Sequence, residues 1–494
     1  MKFGKITPEI SDELKQATSK EIIFEEKMHR MAYSRDWSPR DDENTTLPEI
    51  VVRPRTTEEA AKIVAIANKH RIPVTPMGGL TGMGGGAVPI YGGIAFETKG
   101  MDKVIEIDEE NMTATVQAGI TIWDLNQALE KKGLYFPHEP ESKKASTIGA
   151  AITCNNDSTF GIRHGRMIDH LTNAVIVTGE GKIVRAGRRK ALCSNSGYQL
   201  NWLLVGSEGT LGIVTEATVK VIPIQKTRMV DMVVFPSLND AMNAIRDIIH
   251  AGLALESAHI NCKQRLKFYT HSYKEEYGHE PDIPEWSAAL LGISFGSAEE
   301  NSEVVKFSRD YALKICERNK GELVRETEIT EGWWASKYTV NFAPFKQKWP
   351  DSQREKKFGA VDCGIPVGRI EEAYKKYLEL AKKHNQEILG MCVYHERPNR
   401  LSPSISFAVF VDDKDPENVQ GFYKYVREMS EEAIKMEGTS ATYIGDSEFK
   451  TPWIGEVEHQ EAYEFMFKIK QAFDPNGIMN PGKKFPSKMF GYEV

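Results

Sequence analysis

Apolar residues follow a helical period in some parts of this chain and a strand-like pattern in others. Between Thr56 and about His70 they recur every three or four positions, which predicts an amphipathic helix. Glu59 stands three residues after Thr56, the spacing of a capping box, so the helix is expected to begin there. Short apolar runs at 104–107 and 174–178 predict strands instead. The pattern therefore predicts a fold in which helices and strands are mixed.

The character of the sequence changes after Pro223. From about residue 230 to residue 436, strand and helix patterns alternate with few glycines, as in a ferredoxin-like α/β domain. The tail changes again, to dense turn chemistry after a predicted helix over 460–473. We predict an α+β fold in four parts: an N-terminal helical segment (1–45), a glycine-rich domain (46–225), an α/β domain (226–436) and a C-terminal segment (437–494) that returns to the glycine-rich domain.

The nine residues from Gly78 to Gly86 contain six glycines. Glycine permits positive φ angles and close approach of main chain to a ligand, and successive exposed N–H groups form an anion site. The apolar residues Met77, Leu80, Met83, Ala87 and Val88, and not serine or charge, are interleaved with these glycines, so we predict a cradle for nucleotide phosphates and not a linker. The letters from Gly82 to Ala87 match the dinucleotide pattern G-x-G-x-x-A. That pattern requires a helix next, whereas a predicted strand at 94–98 follows here.

Composition and charge narrow the function classes. A formal net charge of −7 argues against nucleic acid as a partner, because nucleic acid favours a basic surface. No apolar run approaches the roughly 18 residues that span a bilayer, and the N-terminus lacks the apolar stretch of a signal peptide. The six cysteines are scattered without a C-x-x-C pair, which disfavours a disulfide framework, zinc and iron–sulfur ligation. A length of 494 residues predicts two or three domains, and a cytoplasmic location is expected.

Three separated stretches together resemble one family. They are PMGGLTG (76–82), GSEGTLGIVTE (206–216) and DPNGIMNPGK (474–483). In this order they are similar to the flavoprotein family of D-lactate and glycolate dehydrogenases, within the wider vanillyl-alcohol-oxidase and p-cresol-methylhydroxylase type of FAD proteins. The resemblance is close over about residues 30–223 and 460–485 and looser between them. It implies a two-subdomain FAD-binding domain of the p-cresol-methylhydroxylase type, followed by a ferredoxin-like cap domain over the substrate.

The resemblance also implies which residues contact FAD. The matching positions would wrap the pyrophosphate (Pro76, Met77, Gly78, Gly79, Leu80, Thr81, Gly82, Met83), line the isoalloxazine and ribityl region (Pro140, Glu141, Ser142, Ser146, Thr147, Gly149, Asn155), hold the adenosine half and the diphosphate (Gly161, His164, Gly165, Glu208, Gly209, Gly212, Ile213, Val214) and close over the flavin (Asn480, Lys483). Lys483 would offer a cation to a ring that becomes negative on reduction. Met77 stands where bicovalent relatives carry a histidine, so FAD is expected to be bound noncovalently.

The metal site of relatives that act on 2-hydroxy acids is largely missing from this sequence. Their Gly-His-x-Gly-Asp-Gly-Asn-x-His stretch resembles residues 391–399, where only His395 remains. Their later Glu-His pair is replaced by Tyr443 and Ile444, and isoleucine cannot ligate a metal. We therefore expect no metal. The substitute ligands that the sequence offers would be Glu396, Asp446 and Glu448.

Oxidation of a 2-hydroxy acid requires a base for the hydroxyl proton. Histidine, with a reference pKa of about 6.5, suits that role near neutrality. His395, at the end of a predicted strand over 388–394, is the candidate base; the alternative is a structural histidine.

A substrate carboxylate requires a cation. Lys337 stands where relatives carry the arginine of Trp-x-x-Arg and is the candidate, with Arg354 an alternative. Tyr443 is a candidate hydrogen-bond partner of the substrate. Further candidates are Arg397 and Arg400 for the carboxylate and Tyr394 for the hydrogen bond.

The main functional prediction is an FAD-dependent dehydrogenase of a 2-hydroxy acid such as D-lactate or glycolate, which passes electrons to a partner protein or quinone. Three alternatives remain: oxidation of a phenolic or other alcohol, a non-redox transfer like that of alkylglycerone-phosphate synthase, and a non-catalytic flavin-bearing subunit. A homo-oligomer or a subunit of a redox complex is expected.

Overall fold

The computed structural model describes residues 1–40, 45–336, 346–347 and 356–493. Its first sheet contains β1 (Ile23–Phe24), β2 (Ile50–Val52), β3 (Val74–Met77) and β4 (Ile94–Glu97), accompanied by helices α1 (Pro8–Ala17), α2 (Lys27–Ala32) and α3 (Thr57–Lys69). The strand order is β1-β2-β4-β3, and β4 is parallel to both of its neighbours. Helix α3 begins where the sequence predicts, because the Thr56 hydroxyl accepts a hydrogen bond from the Glu59 N–H (3.1 Å). The chain between β3 and β4 contains turns and no helix, so the dinucleotide-type pattern lacks its helix, as the sequence predicts.

A second sheet completes the glycine-rich domain. It contains β5 (Val104–Asp108), β6 (Thr113–Gln117), β8 (Leu171–Val177), β9 (Ile183–Gly187) and β10 (Ile213–Lys220), and β7 (Leu134–Tyr135) pairs separately with β11 (Ile222–Pro223). The helices between these strands are α4 (Ile122–Glu130), α5 (Ile148–Cys154), α6 (Gly161–His164), α7 (Met167–His170) and α8 (Leu200–Leu203). The sheet is antiparallel, in the order β5-β6-β10-β8-β9. Apolar residues of α4 and α5 pack on it in one core.

The cap domain is one long antiparallel sheet covered by helices. Its strands are β12 (Thr227–Phe235), β13 (Ser257–Cys262), β14 (Ala289–Ser297), β15 (Glu322–Leu323), β16 (Lys346–Gln347), β17 (Lys356–Gly364), β18 (Glu387–His395) and β19 (Pro403–Val411). Its helices are α9 (Leu238–His250), α10 (Lys263–Tyr277), α11 (Glu303–Arg318), α12 (Thr327–Ser336), α13 (Ile370–Lys383) and α14 (Pro416–Lys435). The strand order β15-β12-β14-β13-β18-β19-β17-β16 places two βαββα units side by side. The predicted α+β fold with two principal domains is confirmed.

The two faces of the cap sheet have different partners. Residues at one parity, such as Ile260 and Val393, join the core formed with α9, α11, α13 and α14. Residues at the other parity, such as His259 and Tyr394, line a cavity toward the glycine-rich domain. This division follows from the two-residue period of a strand.

The C-terminal segment lies against the first sheet. After α15 (Ser447–Lys450) and α16 (Glu461–Phe473), the chain pairs with β3. The Val74 N–H donates to the Ile478 carbonyl (2.8 Å), and the Asn480 N–H donates to the Val74 carbonyl (2.7 Å). In the described part of the chain, no helix combines the length and the apolar character needed to cross a bilayer.

Candidate active site

One elongated cavity connects the glycine-rich loop to the cap sheet. Four segments of the glycine-rich domain and the tail contribute to its wall, namely 76–87, 140–157, 208–214 and 443–447. Strands β13, β17, β18 and β19 close its other end. The cavity therefore joins main chain and small side chains at one end to aromatic and polar side chains at the other.

Glycine allows the loop after β3 to lie directly on the segment that leads into α5. A Cβ atom on Gly79 would lie 2.1 Å from the Ala145 carbonyl oxygen, and one on Gly78 would lie 2.5 Å from Thr147 Oγ1. Gly82 is different, because the only neighbour of its Cβ would be an Asp36 carboxylate oxygen at 3.5 Å. Gly78 and Gly79 are thus required by contacts within the protein, whereas Gly82 lines the cavity without such crowding.

The 208–214 loop is held through the carboxylate of Glu208. This carboxylate accepts hydrogen bonds from the N–H groups of Asp446 (2.9 Å) and Ser447 (2.8 Å) and pairs with Lys484 (3.1 Å). Because Glu208 has a positive φ of 53° and Gly209 one of 70°, this turn runs through left-handed backbone. The turn thereby fixes the C-terminal segment beside the cavity.

Asn480 and Lys483 lie behind the cavity wall and are not among the residues that line it. The Asn480 side-chain amide donates to the carbonyl oxygens of Gly86 (2.9 Å) and Glu208 (2.7 Å). The ammonium of Lys483 donates to the Val88 carbonyl (3.1 Å), and burial lowers its pKa to about 8. Both side chains therefore hold the glycine-rich loop in place.

Most of the predicted cofactor residues line this one cavity. They are Pro76, Met77, Gly78, Gly79, Leu80, Thr81, Gly82, Met83, Pro140, Glu141, Ser142, Ser146, Gly149, Glu208, Gly209, Gly212, Ile213 and Val214. The predicted cofactor residues that do not line it are Thr147, Asn155, Gly161, His164, Gly165, Asn480 and Lys483. Thr147 caps α5 by accepting from the Ala150 N–H (3.3 Å), and His164 lines a separate cavity beside α7 and α8.

His395 does not line the cavity, although its strand does. Tyr394 and Cys392 face the cavity, so His395, one residue further along the strand, points to the opposite face. Its Nδ1 accepts from the Ser402 N–H (3.3 Å), and burial lowers its pKa to about 4. This placement corresponds to the structural alternative and not to a base at the substrate. Lys337 and Arg354 lie outside the described residues, and Tyr443 lines the cavity.

The cap end of the cavity brings together polar residues that the sequence did not single out. His259 and Asn261 alternate along β13, and Arg265 stands at the start of α10. The His259 ring meets the Tyr394 ring edge-on, with centroids 4.7 Å apart. The available sequence signal was weak: two polar residues at alternate positions of an otherwise apolar strand.

Two carboxyl groups face the same end. Glu141 accepts a hydrogen bond from the Tyr394 hydroxyl (3.2 Å), and its pKa is raised by burial, opposed by Arg265 and by this hydrogen bond. Asp157 also lines the cavity, and burial together with the charge of Glu141 raises its pKa to about 7, opposed by Arg166. The cap end can therefore bind an anion beside Arg265 and exchange a proton near neutrality.

The residues present fit FAD. The glycine-rich loop and the small residues of α5 form a main-chain cradle of the kind that suits a diphosphate. The cavity continues from it to apolar walls at Leu389 and Ile444, which suit a planar ring. Among the described residues no group of three or more His, Cys, Asp or Glu side chains is arranged to hold a metal ion. Of the substitute ligands considered, Asp446 pairs with Lys484 and Glu448 pairs with Arg40.

Comparison with known proteins agrees with this geometry. The family model of the FAD binding domain matches residues 48–187, and that of the FAD linked oxidases, C-terminal domain, matches residues 224–484. Glycolate oxidase subunit GlcD of Bacillus subtilis is 30% identical, covering 97% of each chain. A D-lactate dehydrogenase of Anaerostipes hadrus is 28% identical, covering 97% of this chain and 98% of its own. The structure of p-cresol methylhydroxylase with substrate bound superposes with a TM-score of 0.78 at 16% identity, covering 97% and 96%.

The similarity to p-cresol methylhydroxylase shows a shared fold. The similarities to glycolate oxidase subunit GlcD and to the D-lactate dehydrogenase extend over almost the whole sequence. With an FAD-type cavity between two matched domains, the chain belongs to the family of FAD-linked oxidases and is an FAD-linked oxidoreductase acting on a CH–OH group.

Proposed function

We propose that this protein is an FAD-dependent dehydrogenase of 2-hydroxy acids. The observation that carries the proposal is the position of Arg265 in the cavity wall, at the end remote from the glycine-rich loop and beside proton-accepting groups. A 2-hydroxy acid needs both: a cation for its carboxylate and a base for its hydroxyl. Glycolate oxidase subunit GlcD and several D-lactate dehydrogenases among the similar proteins carry this substrate class in their names.

FAD, when bound, supplies the acceptor for the hydride that leaves the substrate α-carbon. The chain holds it through the main chain of residues 76–83 and through 208–214, which line the cavity from two sides. We propose noncovalent binding. Met77 lines the cavity. By the resemblance it stands where bicovalent relatives carry a histidine, and its thioether has no ring nitrogen that could bond the flavin.

The substrate carboxylate is proposed to bind Arg265, whose guanidinium provides a planar, doubly donating partner. Glu141 interacts electrostatically with Arg265. The positive charge of Arg265 is therefore already partly compensated before the negatively charged substrate binds. His259 and Asn261 present polar groups beside it from β13. Arg265 is therefore the proposed anion-binding residue in place of Lys337 and Arg354.

The proposal extends to the electron acceptor, the oligomeric state and the location of the protein. All six cysteines are unpaired thiols, and four of them are buried within the cap. Because they offer no iron–sulfur relay within the described chain, electrons are proposed to pass to a partner protein or quinone. Unpaired cysteines fit a reducing compartment, so a cytoplasmic location is proposed. A homo-oligomer or a subunit of a redox complex is proposed for the assembly.

Anaerobic bleaching of the bound flavin by a panel of substrates tests the proposal. The expected result is bleaching by D- or L-2-hydroxy acids and none by the matching acids that lack the hydroxyl. Bleaching only by phenolic alcohols would contradict the proposal. Bleaching by no small molecule, with normal reduction by dithionite, would favour a transferase or a non-catalytic flavin subunit instead.

A second candidate is oxidation of a phenolic alcohol. The specific observation in its favour is the aromatic wall at the cap end, where Trp333, Phe358, Tyr394 and Tyr443 line the cavity. A 4-ethylphenol oxidase shares the fold, with a TM-score of 0.75 at 16% identity. The same substrate panel decides between the two candidates.

A further inference from the structure

The substrate end of the cavity must contain a group that accepts the hydroxyl proton. Several cavity residues are excluded because they stay protonated near neutrality. Desolvation beside the cavity, together with the charge of Glu208, raises the pKa of Cys154 to about 12, and burial raises that of Cys392 to about 11. Burial also raises the pKa values of Tyr394 and Tyr443 well above the ordinary value. None of these four side chains can take up a proton at neutral pH.

The remaining acidic and basic groups of the described cavity wall have different tasks. Glu208 accepts two main-chain hydrogen bonds and pairs with Lys484, so it serves the C-terminal segment. Glu141 accepts a hydrogen bond from the Tyr394 hydroxyl. The His259 ring forms T-shaped pairs with the rings of Tyr394 and Trp333, with centroids 4.7 Å and 5.8 Å away. None of these hydrogen bonds, ion pairs or ring contacts involves Asp157, which leaves it as the candidate base.

Asp157 is one of the residues that line the cavity. It follows α5, and Asn156 beside it also lines the cavity. Its charge acts on Tyr443 from the tail and is acted on by Glu141 from the 140–146 loop. The Asp157 carboxyl group therefore interacts electrostatically with two other residues of the cavity wall, one from the tail and one from the 140–146 loop.

A buried network supports Asp157 from behind. Glu396 accepts a hydrogen bond from the Ser158 N–H (3.3 Å), and the charge of Arg166 favours the ionised forms of both Glu396 and Asp157. The charged and titratable groups that interact electrostatically with Asp157 are Glu141, Arg166, Asp362, Glu396 and Tyr443. Arg166 acts on both Asp157 and Glu396, so a proton taken up by Asp157 reduces the negative charge that these two carboxyl groups bring to one guanidinium.

We propose that Asp157 is the catalytic base that accepts the hydroxyl proton of the bound 2-hydroxy acid; this inference rests on the proposed function. The substrate O–H bond breaks and its proton bonds to an Asp157 carboxylate oxygen. The α-C–H bond breaks with its electron pair, which leaves as hydride, and oxidised FAD is the acceptor. The substrate becomes the 2-oxo acid.

The test is the pH dependence of anaerobic flavin reduction in a stopped-flow experiment at saturating substrate. In the wild type, the rate is expected to rise with pH through about 7, where Asp157 becomes ionised. Asp157→Asn should slow reduction by about 100-fold or more and remove this pH dependence. Glu141→Gln should shift it to lower pH, since a neighbouring negative charge is lost. His259→Gln should keep the pH dependence at its original position.

Infrared titration of the protonated carboxyl band gives a readout that needs no turnover. The FAD-loaded wild type should show two carboxyl groups that titrate near neutrality, because burial raises the pKa values of both Asp157 and Glu396, and Asp157→Asn should lack one of the two bands. FAD content and dithionite reduction verify that each variant is folded, and Asp157→Glu should recover part of the rate. A normal rate in Asp157→Asn, or an unchanged pH dependence there, would overturn the inference. Failure of every 2-hydroxy acid to reduce the wild type would instead remove the proposed function, and the inference with it.

Discussion

The side-chain amide of Asn480 donates to the carbonyl oxygen of Gly86 at 2.9 Å, although 394 residues separate the two in sequence. The same amide donates to the Glu208 carbonyl at 2.7 Å. One buried residue therefore connects the glycine-rich loop, the 208–214 turn and the tail of the chain. The sequence predicted contact between Asn480 and the flavin, whereas the structure places it behind the loop that lines the cavity.

Asn480→Ala should loosen both loops together. The buried Glu208 carbonyl and the half-buried Gly86 carbonyl lose their partner, which costs about 1–3 kcal/mol of the free energy of unfolding. We expect a lower midpoint of thermal unfolding and a weaker affinity for FAD, measured by fluorescence titration of the apoprotein. Asn476→Ala is the matched control, because Asn476 bonds Asn68 (2.9 Å) away from the cavity. Equal losses of FAD affinity in both variants would contradict the assigned role.

Gly79→Ala and Gly82→Ala form a pair that separates two uses of glycine. The Cβ of Gly79→Ala would overlap the Ala145 carbonyl, so the loop must shift, at a cost of about 1–3 kcal/mol. The Cβ of Gly82→Ala has space within the protein. We therefore expect Gly79→Ala to lower the unfolding temperature of the apoprotein and Gly82→Ala to leave it near the wild-type value. Differential scanning calorimetry of both apoproteins gives the comparison, and equal destabilisation would refute this reading of the loop.

His395→Gln and His259→Gln test which histidine serves the substrate. His395 does not line the cavity, so His395→Gln should not show the roughly 100-fold loss expected when a base is removed. His259 lines the cavity, and His259→Gln should weaken substrate binding by about tenfold, the effect of about 1.4 kcal/mol for one hydrogen bond. The measurements are the limiting rate of flavin reduction and the substrate concentration at half of that rate. A large loss of limiting rate in His395→Gln alone would return the base assignment to His395.

The cofactor end of the cavity could be predicted from sequence because its signal is local. Six glycines in nine residues constrain the main chain wherever they occur, and the loops at 76–83 and 208–214 line the same cavity. The substrate end depends on which face of a strand is covered by helices, and no residue of the strand itself carries that information. Tyr394 and His395 are neighbours in sequence, yet only Tyr394 lines the cavity.

The residues missed at the cap end stand alone in sequence. Asp157 and Arg265 belong to no motif, and they line the same cavity only because the segment after α5 and the start of α10 reach it from different domains. The polar pair His259 and Asn261 could have been noticed on β13, but its direction is fixed by the neighbouring strands. Tertiary packing therefore determines which residues line the substrate end of the cavity, whereas local glycine-rich sequence determines which residues line the cofactor end.

The carboxylate of Asp362 should make the stability of the cap sensitive to acid. It is fully buried, and its Oδ2 accepts hydrogen bonds from the N–H groups of Tyr443 (2.6 Å) and Ile444 (3.0 Å), while Oδ1 pairs with Lys450 (3.1 Å). Although burial acts in the opposite direction, Lys450 and these hydrogen bonds hold the pKa of Asp362 below its ordinary value.

Because the folded pKa is the lower one, this stabilisation is present above the unfolded pKa of about 3.9. It is lost as the pH falls through the folded value. Asp362→Asn removes the charge beside buried Lys450 and should cost about 3–5 kcal/mol at neutral pH. The variant should also lose less stability than the wild type when the pH is lowered below about 4. Denaturant unfolding at several pH values measures both effects, with the exposed Asp102→Asn as the control. A wild-type acid response in Asp362→Asn would show that other carboxylates dominate, and it would remove Asp362 as the group that ties Tyr443 and the tail to the cap sheet.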